Sequence, residues 1–504
     1  MGGVNKDNKP EKHVSQGAQF SRLLSLRLER QIKSLLSTTT SSTSSTSSLT
    51  FLIPVSVRYP PAPLHSTPLH STLLNAGNHF TCFYLSRESD SQRVRGRGRG
   101  MDATEGDAPV NPQERSSHTA FIDNNTLYVW GGYQVVARED VMLPSDEIWL
   151  CDLDSGAWER REITGDIPPN LEGFCGSHVN GTLYIFAGCD PVGYTNQMFS
   201  VDLTGPCCSW KKMTDTKGTT PSPRNKHSCW VHRDRLIYFG GYGCKTIGEV
   251  RNTSSSSFVV EEMSWTTIGD TLFRCWGWNN EVNVFDTHTA TWSMPETRGP
   301  APGPRGCHAS ALLGNKGYIS GGVETAELDL FCLDLETWTW TQFDISSSCS
   351  PLGRSMHTMT PISDHALFVY GGLGIDGNTL NDAWQFNTVK REWTKMTHPH
   401  KDKPRVCHTA CLGNDDDVVV FGGSSNLCIL MDSVAVLRAP SQHHCRDVII
   451  FQTQPYSLFR LCEDFMGKKP ELFGKRLNWL PSKLRSRVDK RVAFFSNTKP
   501  IFTA

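Results

Sequence analysis

RSMHTMTPISDHALFVYGGLGIDGNTLNDAWQFNTVKREW, residues 354 to 393, is the stretch from which the rest of the chain can be read. Ala366 to Tyr370 is too short for a helix, rich in strand formers and stopped by Gly371 and Gly372, as a buried strand would be. A glycine pair reaches backbone conformations closed to other residues and lets a neighbouring segment come close. A second short strand is predicted over Asn381 to Phe386, and Trp393 supplies a large apolar surface beside the glycines.

The unit recurs. Glycine pairs close apolar runs at 131–132, 240–241, 321–322 and 422–423, with a degenerate Ala187–Gly188 in one copy. An Arg three residues before a His opens five copies: Arg115/His118, Arg224/His227, Arg305/His308, Arg354/His357 and Arg405/His408. A late Trp closes five, at Trp158, Trp210, Trp292, Trp338 and Trp393. The period of roughly 50 residues is that of a kelch blade. Residues 115 to 455 resemble the kelch family, which implies an all-β fold, a six-bladed β-propeller. After Gly423 a strand is expected at Asp447 to Phe451, but no closing Trp follows. Either residues 454 to 461 or those just before Arg115 would then seal the ring.

The totals set bounds. A chain of 504 residues with 51 acidic and 50 basic side chains carries no net charge suited to wholesale polyanion binding. The first hundred residues hold a surplus of roughly +8, so the charge is uneven. Seventeen cysteines, with no Cys-x-x-Cys pair, read as reduced thiols of a cytosolic or nuclear protein and not as a disulfide or zinc framework. No apolar run is long enough to span a membrane.

Residues 1 to 110 read as a disordered low-complexity extension. Ser37 to Thr50 is almost wholly Ser and Thr, Pro54 to Pro68 is proline-rich, and Arg93 to Gly100 alternates Arg and Gly. Gln16 to Leu36 also fits a basic transit-type helix, the Arg-Gly tract fits RNA contact, and Met101 fits a start of translation. Within the propeller, residues 245 to 274 form a long insertion in the third blade whose run Ser254 to Ser257 favours disorder in its middle.

No phosphate-cradling loop, nucleophile elbow or carboxylate-rich metal motif is present, so neither a catalytic site nor a metal or other cofactor is expected. The repeated histidines are read as structural. The loops of a rigid propeller are instead suited to recognition of a peptide or protein.

Downstream, Ser457-Leu458-Phe-Arg-Leu-Cys462 resembles an elongin-binding box, Leu458 and Cys462 sharing one helical face. Leu480-Pro481-Ser-Lys-Leu484 resembles a cullin-2 box, with Val488 continuing the stripe. A helical segment is thus expected over 456–490, followed by a tail, 491–504. Together with Arg233 to Cys244, Gly314 to Ile319 and Asp447 to Leu458, these boxes make residues 115 to 488 similar to a kelch subfamily of ubiquitin-ligase substrate receptors. The resemblance implies assembly with elongin B and elongin C, cullin-2 and its RING subunit, and capture of protein C-termini ending in glycine. It implies no nucleic-acid or membrane partner. It places the pocket at Tyr133, Lys226, Tyr242, Trp278 and Ser355. Two family pocket arginines are absent here, with Val323 and Ala326 nearest their positions in a shortened loop, and the family Trp beside the pocket serine is Met356. Losing such cations should weaken carboxylate binding by several kcal/mol, as breaking a buried ion pair costs ~3–5 kcal/mol. A kelch scaffold with no ligase attachment is the alternative reading.

Overall fold

The computed structural model describes residues 111–136, 139–190, 192–252, 257–268, 270–322, 328–344, 349–426, 444–497 and 502–503. The expectations for the N-terminal extension, for most of the serine run and for Val323 and Ala326 fall outside these residues.

The strands form six four-stranded blades, antiparallel within each except for the last strand of blade VI, and blades I and II join edge to edge through a parallel pairing of their outermost strands. Blade V shows the pattern: Thr358–Ser363, Ala366–Tyr370, Ala383–Asn387 and Glu392–Met396 pair in order, with Tyr370 opposite Ala383 and Phe386 opposite Trp393. All five side chains of Ala366–Tyr370 are buried, so this strand is packed on both faces. Blades I to IV repeat the order, their innermost strands being Thr119–Asp123, Cys175–Val179, Ser228–His232 and Ala309–Leu313. Blade VI carries Thr409–Leu412, Val418–Phe421 and Val448–Phe451.

The recurring Arg and His do two different jobs. Each Arg stays in its own blade: Nη1 of Arg115, Arg224, Arg305 and Arg354 donates to the carbonyl of the first glycine of the pair, at 3.0 to 3.2 Å. A carboxylate then neutralises the guanidinium, as in Arg224–Glu281, Arg305–Asp329, Arg354–Asp382 and Arg405–Asp447, at 2.7 to 2.9 Å. Four of the five His hydrogen-bond back to the preceding blade, whereas His227 meets it through the Phe186 ring, with neither ring nitrogen hydrogen-bonded among the described residues. His308 bonds Ser228 at 2.8 Å, His357 bonds Ser320 at 3.0 Å and His408 bonds Thr358 at 2.9 Å. His118 of blade I bonds Thr409 of blade VI at 2.9 Å, so the same latch closes the ring. The glycines make room for it, since a Cβ on Gly422 would lie 2.6 Å from the His118 ring and one on Gly321 2.7 Å from His357. In blade II, Phe174 takes the place of the imidazole and sits over Gly131, while Ala187 adopts the left-handed backbone, φ 59°, of the glycine it replaces.

Two expectations are corrected. The Trp that closes blade IV is Trp340, opposite Leu333 and 2% exposed; Trp338 occupies the left-handed turn before it, with Arg235 over its ring. Two tryptophans two apart compete for one position, and only the strand register chooses between them. Among the described residues, neither 454–461 nor 111–114 pairs with the edge of blade VI; Phe502–Thr503 pairs parallel with Val448 and Ile449 there. On either side of the serine run, the blade III insertion holds helix α1 (Ile247–Asn252) and a long hairpin of Phe258–Ile268 with Asp270–Asn279 that extends a sheet of Arg224–Asn225 and Tyr242–Thr246.

After blade VI come helix α2 (Leu458–Lys468), two short 3₁₀ turns and helix α3 (Ser482–Asn497). Ser457 caps α2 by accepting from the Arg460 amide at 3.2 Å. Helix α3 runs past residue 490, so that sequence boundary cuts through a helix. Gly467 lets the two helices meet, since a Cβ there would lie 2.8 Å from that of Arg491. None of the described helices is long and apolar enough to cross a membrane.

Candidate functional site

Each blade sends its first-to-second and third-to-fourth strand turns to one face of the disc, and its second-to-third loops and blade-to-blade links to the other. Tyr133, Tyr242 and Trp278 lie in or beside second-to-third loops, and Lys226 and Ser355 in blade-to-blade links. All five therefore belong to one face, the mouth.

The floor of the mouth is a ring of backbone. The residue before each latch His, or before Phe174, takes the left-handed conformation: Ser117, Gly173, Lys226, Cys307, Met356 and Cys407, with φ between 53° and 63°. Five of the six amides donate to the carbonyl of a neighbouring blade: Lys226 to Gly173 at 2.7 Å, Cys307 to Lys226 at 3.0 Å and Met356 to Cys307 at 2.8 Å. Cys407 continues the chain to Met356 at 3.2 Å, and Ser117 to Cys407 at 3.0 Å. Polar backbone at the centre is satisfied without filling the channel.

Three predicted residues form one cluster on this floor. Tyr242 meets Trp278 edge to face with centroids 4.9 Å apart, and Tyr194 adds a third ring 5.8 Å from Tyr242. Trp278 and Lys226 converge on Gly306, where a Cβ would lie 2.5 Å from the indole and 3.0 Å from the Lys226 carbonyl. The indole N–H of Trp278 donates to Glu261 at 2.7 Å. Tyr133 is nearly buried on blade I, its ring 5.7 Å from that of His444, whose Nδ1 lies 2.8 Å from the Ser116 hydroxyl. Ser355 pairs with Leu373 on blade V, half-buried. The structure thus joins Lys226, Tyr242 and Trp278, and sets Tyr133 and Ser355 on the rim around them.

Tyr194, Glu261 and His444 were not legible as mouth residues. Tyr194 carries the one available signal, an aromatic beside a glycine in a second-to-third loop, as Tyr133 and Tyr242 also are. The other two reach the mouth only through the hairpin and the return to blade VI.

Sulfur fills part of the throat. The Cys407 thiol donates to the Met356 thioether at 3.5 Å. Burial pushes the Cys407 thiol up to about 12, Cys307 adding to the rise and Lys226 opposing it. Burial raises Cys307 as well, again against Lys226.

On the opposite face, α2 is held by its charged side. Arg460 pairs with Asp415 of blade VI at 3.1 Å and Asp154 of blade I at 3.6 Å, and Asp464 pairs with Arg491 at 2.7 Å. Lys490 of α3 reaches Asp152 at 2.9 Å, and Glu463 is buried against Arg487. The apolar side faces out: Leu458 is 77% exposed, Leu461 50% and Phe465 52%, with Cys462 exposed between them. Of the second box, Pro481 is exposed and Leu480 and Leu484 are half-buried. Val488 is 1% exposed and belongs to the packing of the two helices, not to a surface stripe.

A closed ring of six blades, with an aromatic and cationic mouth on one face, defines a propeller-type protein-interaction module. The model of the KLHDC2/KLHL20/DRC7 kelch-repeats domain matches residues 102–273 and 269–457, and the chain belongs to this kelch-repeat family. It is 44% identical to human Kelch domain-containing protein 1 over 389 residues, 76% of this chain and 91% of the relative. It is 37% identical to human Kelch domain-containing protein 2 over 386 residues, 75% and 91% of the two chains. A solved structure, that of YjhT, aligns with TM-score 0.46 at 17% identity over 68% of this chain and 96% of its own.

Proposed function

We propose that this protein is the non-catalytic substrate-recognition subunit of a cullin-2 RING ubiquitin ligase, acting in the cytosol or nucleus on protein C-termini that end in glycine. The observation that carries this reading is the inverted polarity of α2. Residues 460, 463, 464 and 467 turn charge and a glycine inward, while 458, 461, 462 and 465 turn apolar side chains to water. A helix normally buries its apolar stripe, so an outward stripe on a helix anchored by ion pairs suits a partner's groove. Elongin C, paired with elongin B, is the partner proposed for Leu458 and Cys462, and cullin-2 with its RING subunit for Leu480, Pro481 and Leu484. The mouth on the far face leaves both partners room.

In the mouth, Lys226 would supply charge to a terminal carboxylate, Tyr242 and Trp278 apolar walls to the last residues, and Tyr133 and Ser355 hydrogen bonds at the rim. A glycine end fits because the aromatic cluster closes tightly over Gly306.

Two measurements test this. Leu458→Arg should weaken capture of purified elongin B/C by about 10- to 100-fold, since a fully buried Leu contributes ~1.5–3 kcal/mol. Unchanged capture by a folded variant would favour the free-standing scaffold. A peptide ending in Gly-Gly should bind the mouth about 10- to 100-fold more tightly than its C-terminal amide, as a hydrogen bond to a charged group is worth ~1.5–3 kcal/mol. Equal affinities would remove the carboxylate from the recognition scheme.

A further inference from the structure

We infer that Glu261 makes the mouth selective for a basic residue, lysine or arginine, among the last few residues of the bound chain end; this deepens the reading proposed above and rests on it. Glu261 reaches the mouth through a fault in strand pairing. In the blade III hairpin Val260 stands opposite Gly277 and Glu262 opposite Trp276, so Glu261 is the extra residue of a β-bulge. A bulge re-aims the side chain that it carries. Gly277 makes the room, since a Cβ there would lie 2.0 Å from the Val259 carbonyl oxygen. The re-aimed carboxylate is exposed and accepts from the Trp278 indole N–H at 2.7 Å. That bond fixes its position. A carboxylate has capacity for about four hydrogen bonds, so it can receive an ammonium or guanidinium group as well.

The surroundings favour a cation over a neutral donor. Trp278, Tyr242 and Tyr194 form a run of three rings that starts at this carboxylate, and an indole is the strongest aromatic partner for a positive charge. The cations described on the same four-stranded sheet are committed elsewhere: Arg224 and Lys245 both pair with Glu281, and Arg274 donates to the Cys244 sulfur at 3.4 Å. The indole also sets the spacing. Its six-membered ring meets Gly306 beside the Lys226 carbonyl, whereas its N–H edge meets Glu261. A chain end whose carboxylate is held by Lys226 would cross that ring, at ~3.3–3.6 Å per extended residue, and bring a side chain about two to four positions from the end to Glu261.

The full chain would be titrated, by fluorescence polarisation, with peptides that end in glycine and carry lysine, glutamine or glutamate at the second, third or fourth position from the end. At one of these positions lysine should bind about 5- to 20-fold more tightly than glutamine, and glutamate more weakly than glutamine. The advantage should shrink as salt is raised. Glu261→Gln keeps an acceptor for the indole N–H and should cancel the preference, and Glu261→Lys should reverse it in favour of glutamate. Equal binding of the lysine and glutamine peptides at every position, or a lysine preference that survives Glu261→Gln, would overturn the inference. Amidated copies of the peptides separate it from the reading on which it rests. Acid bound above amide, with lysine no better than glutamine, removes the role of Glu261 alone. Lysine above glutamine, with acid and amide equal, removes the terminal carboxylate and keeps the basic site. Binding of none of the peptides would overturn both.

Discussion

Arg354→Met is expected to destabilise the propeller by about 3–5 kcal/mol, the usual cost of removing one partner from a buried ion pair. Arg354 is 2% exposed and satisfies four acceptor atoms, the carbonyls of Leu352 and Gly371 and both oxygens of Asp382. Burial alone would raise the Asp382 carboxyl, but the hydrogen bonds and charge of Arg354, with the Trp384 indole N–H, hold it below the usual carboxylate range. Without the guanidinium that carboxylate is left in a site that penalises its charge. Urea unfolding followed by tryptophan fluorescence measures the loss. Arg354→Met combined with Asp382→Leu should recover most of it, because paired apolar replacements remove the stranded charge. A single variant within ~0.5 kcal/mol of the parent would show that the recurring Arg does not hold its blade together.

Acid is expected to have a larger effect still. Burial, reinforced by neighbouring guanidinium groups, depresses His118, His227 and His357 well below the ordinary imidazole range, and His308 and His408 to about 3. The folded ring holds these imidazoles neutral while the unfolded chain protonates them near pH 6.5. Their contribution is therefore complete above pH 6.5 and is lost as the pH falls towards 3. Each costs about 1.4 kcal/mol per pH unit in that window, so five acting together remove on the order of 5 kcal/mol by pH 5.5. Asp417, pushed up to about 6 by burial, works in the opposite direction but is one group against five. Unfolding free energies at pH 7.5, 6.5 and 5.5 give the proton uptake directly. Uptake of fewer than about two protons per molecule below pH 6 would mean that the latches are not buried neutral groups.

The elements that the sequence announced are those specified by short-range chemistry. Gly371–Gly372 and its counterparts mark the end of the second strand because the left-handed backbone there disfavours side chains, Ala187 of blade II being the exception. The His of each opening motif was legible as structural, but not that the Arg stays in its own blade while the His reaches to the blade before. That division depends on where Ser228, Ser320, Thr358 and Thr409 arrive in space. The mouth was readable in part: Tyr133 and Tyr242 directly follow glycine pairs and stand at the loop entrances. Glu261 and His444 come from segments whose course no local pattern sets.

By itself the sequence determined the six-fold repeat, the kelch family and the start of five of the blades, since all three rest on residues within about five positions of one another. Only the tertiary structure decided that Trp340 and not Trp338 fills blade IV, because strand register assigns alternate side chains to opposite faces. It decided as well that residues 502 and 503 seal blade VI, a pairing made across a helical segment that sequence distance does not reveal. The outward apolar face of α2 and the contact between the Cys407 and Met356 sulfurs belong to the same class. Each is a relation between residues made neighbours by closure of the ring and docking of the helices, and backbone hydrogen bonds and ion pairs, not sequence spacing, set their geometry.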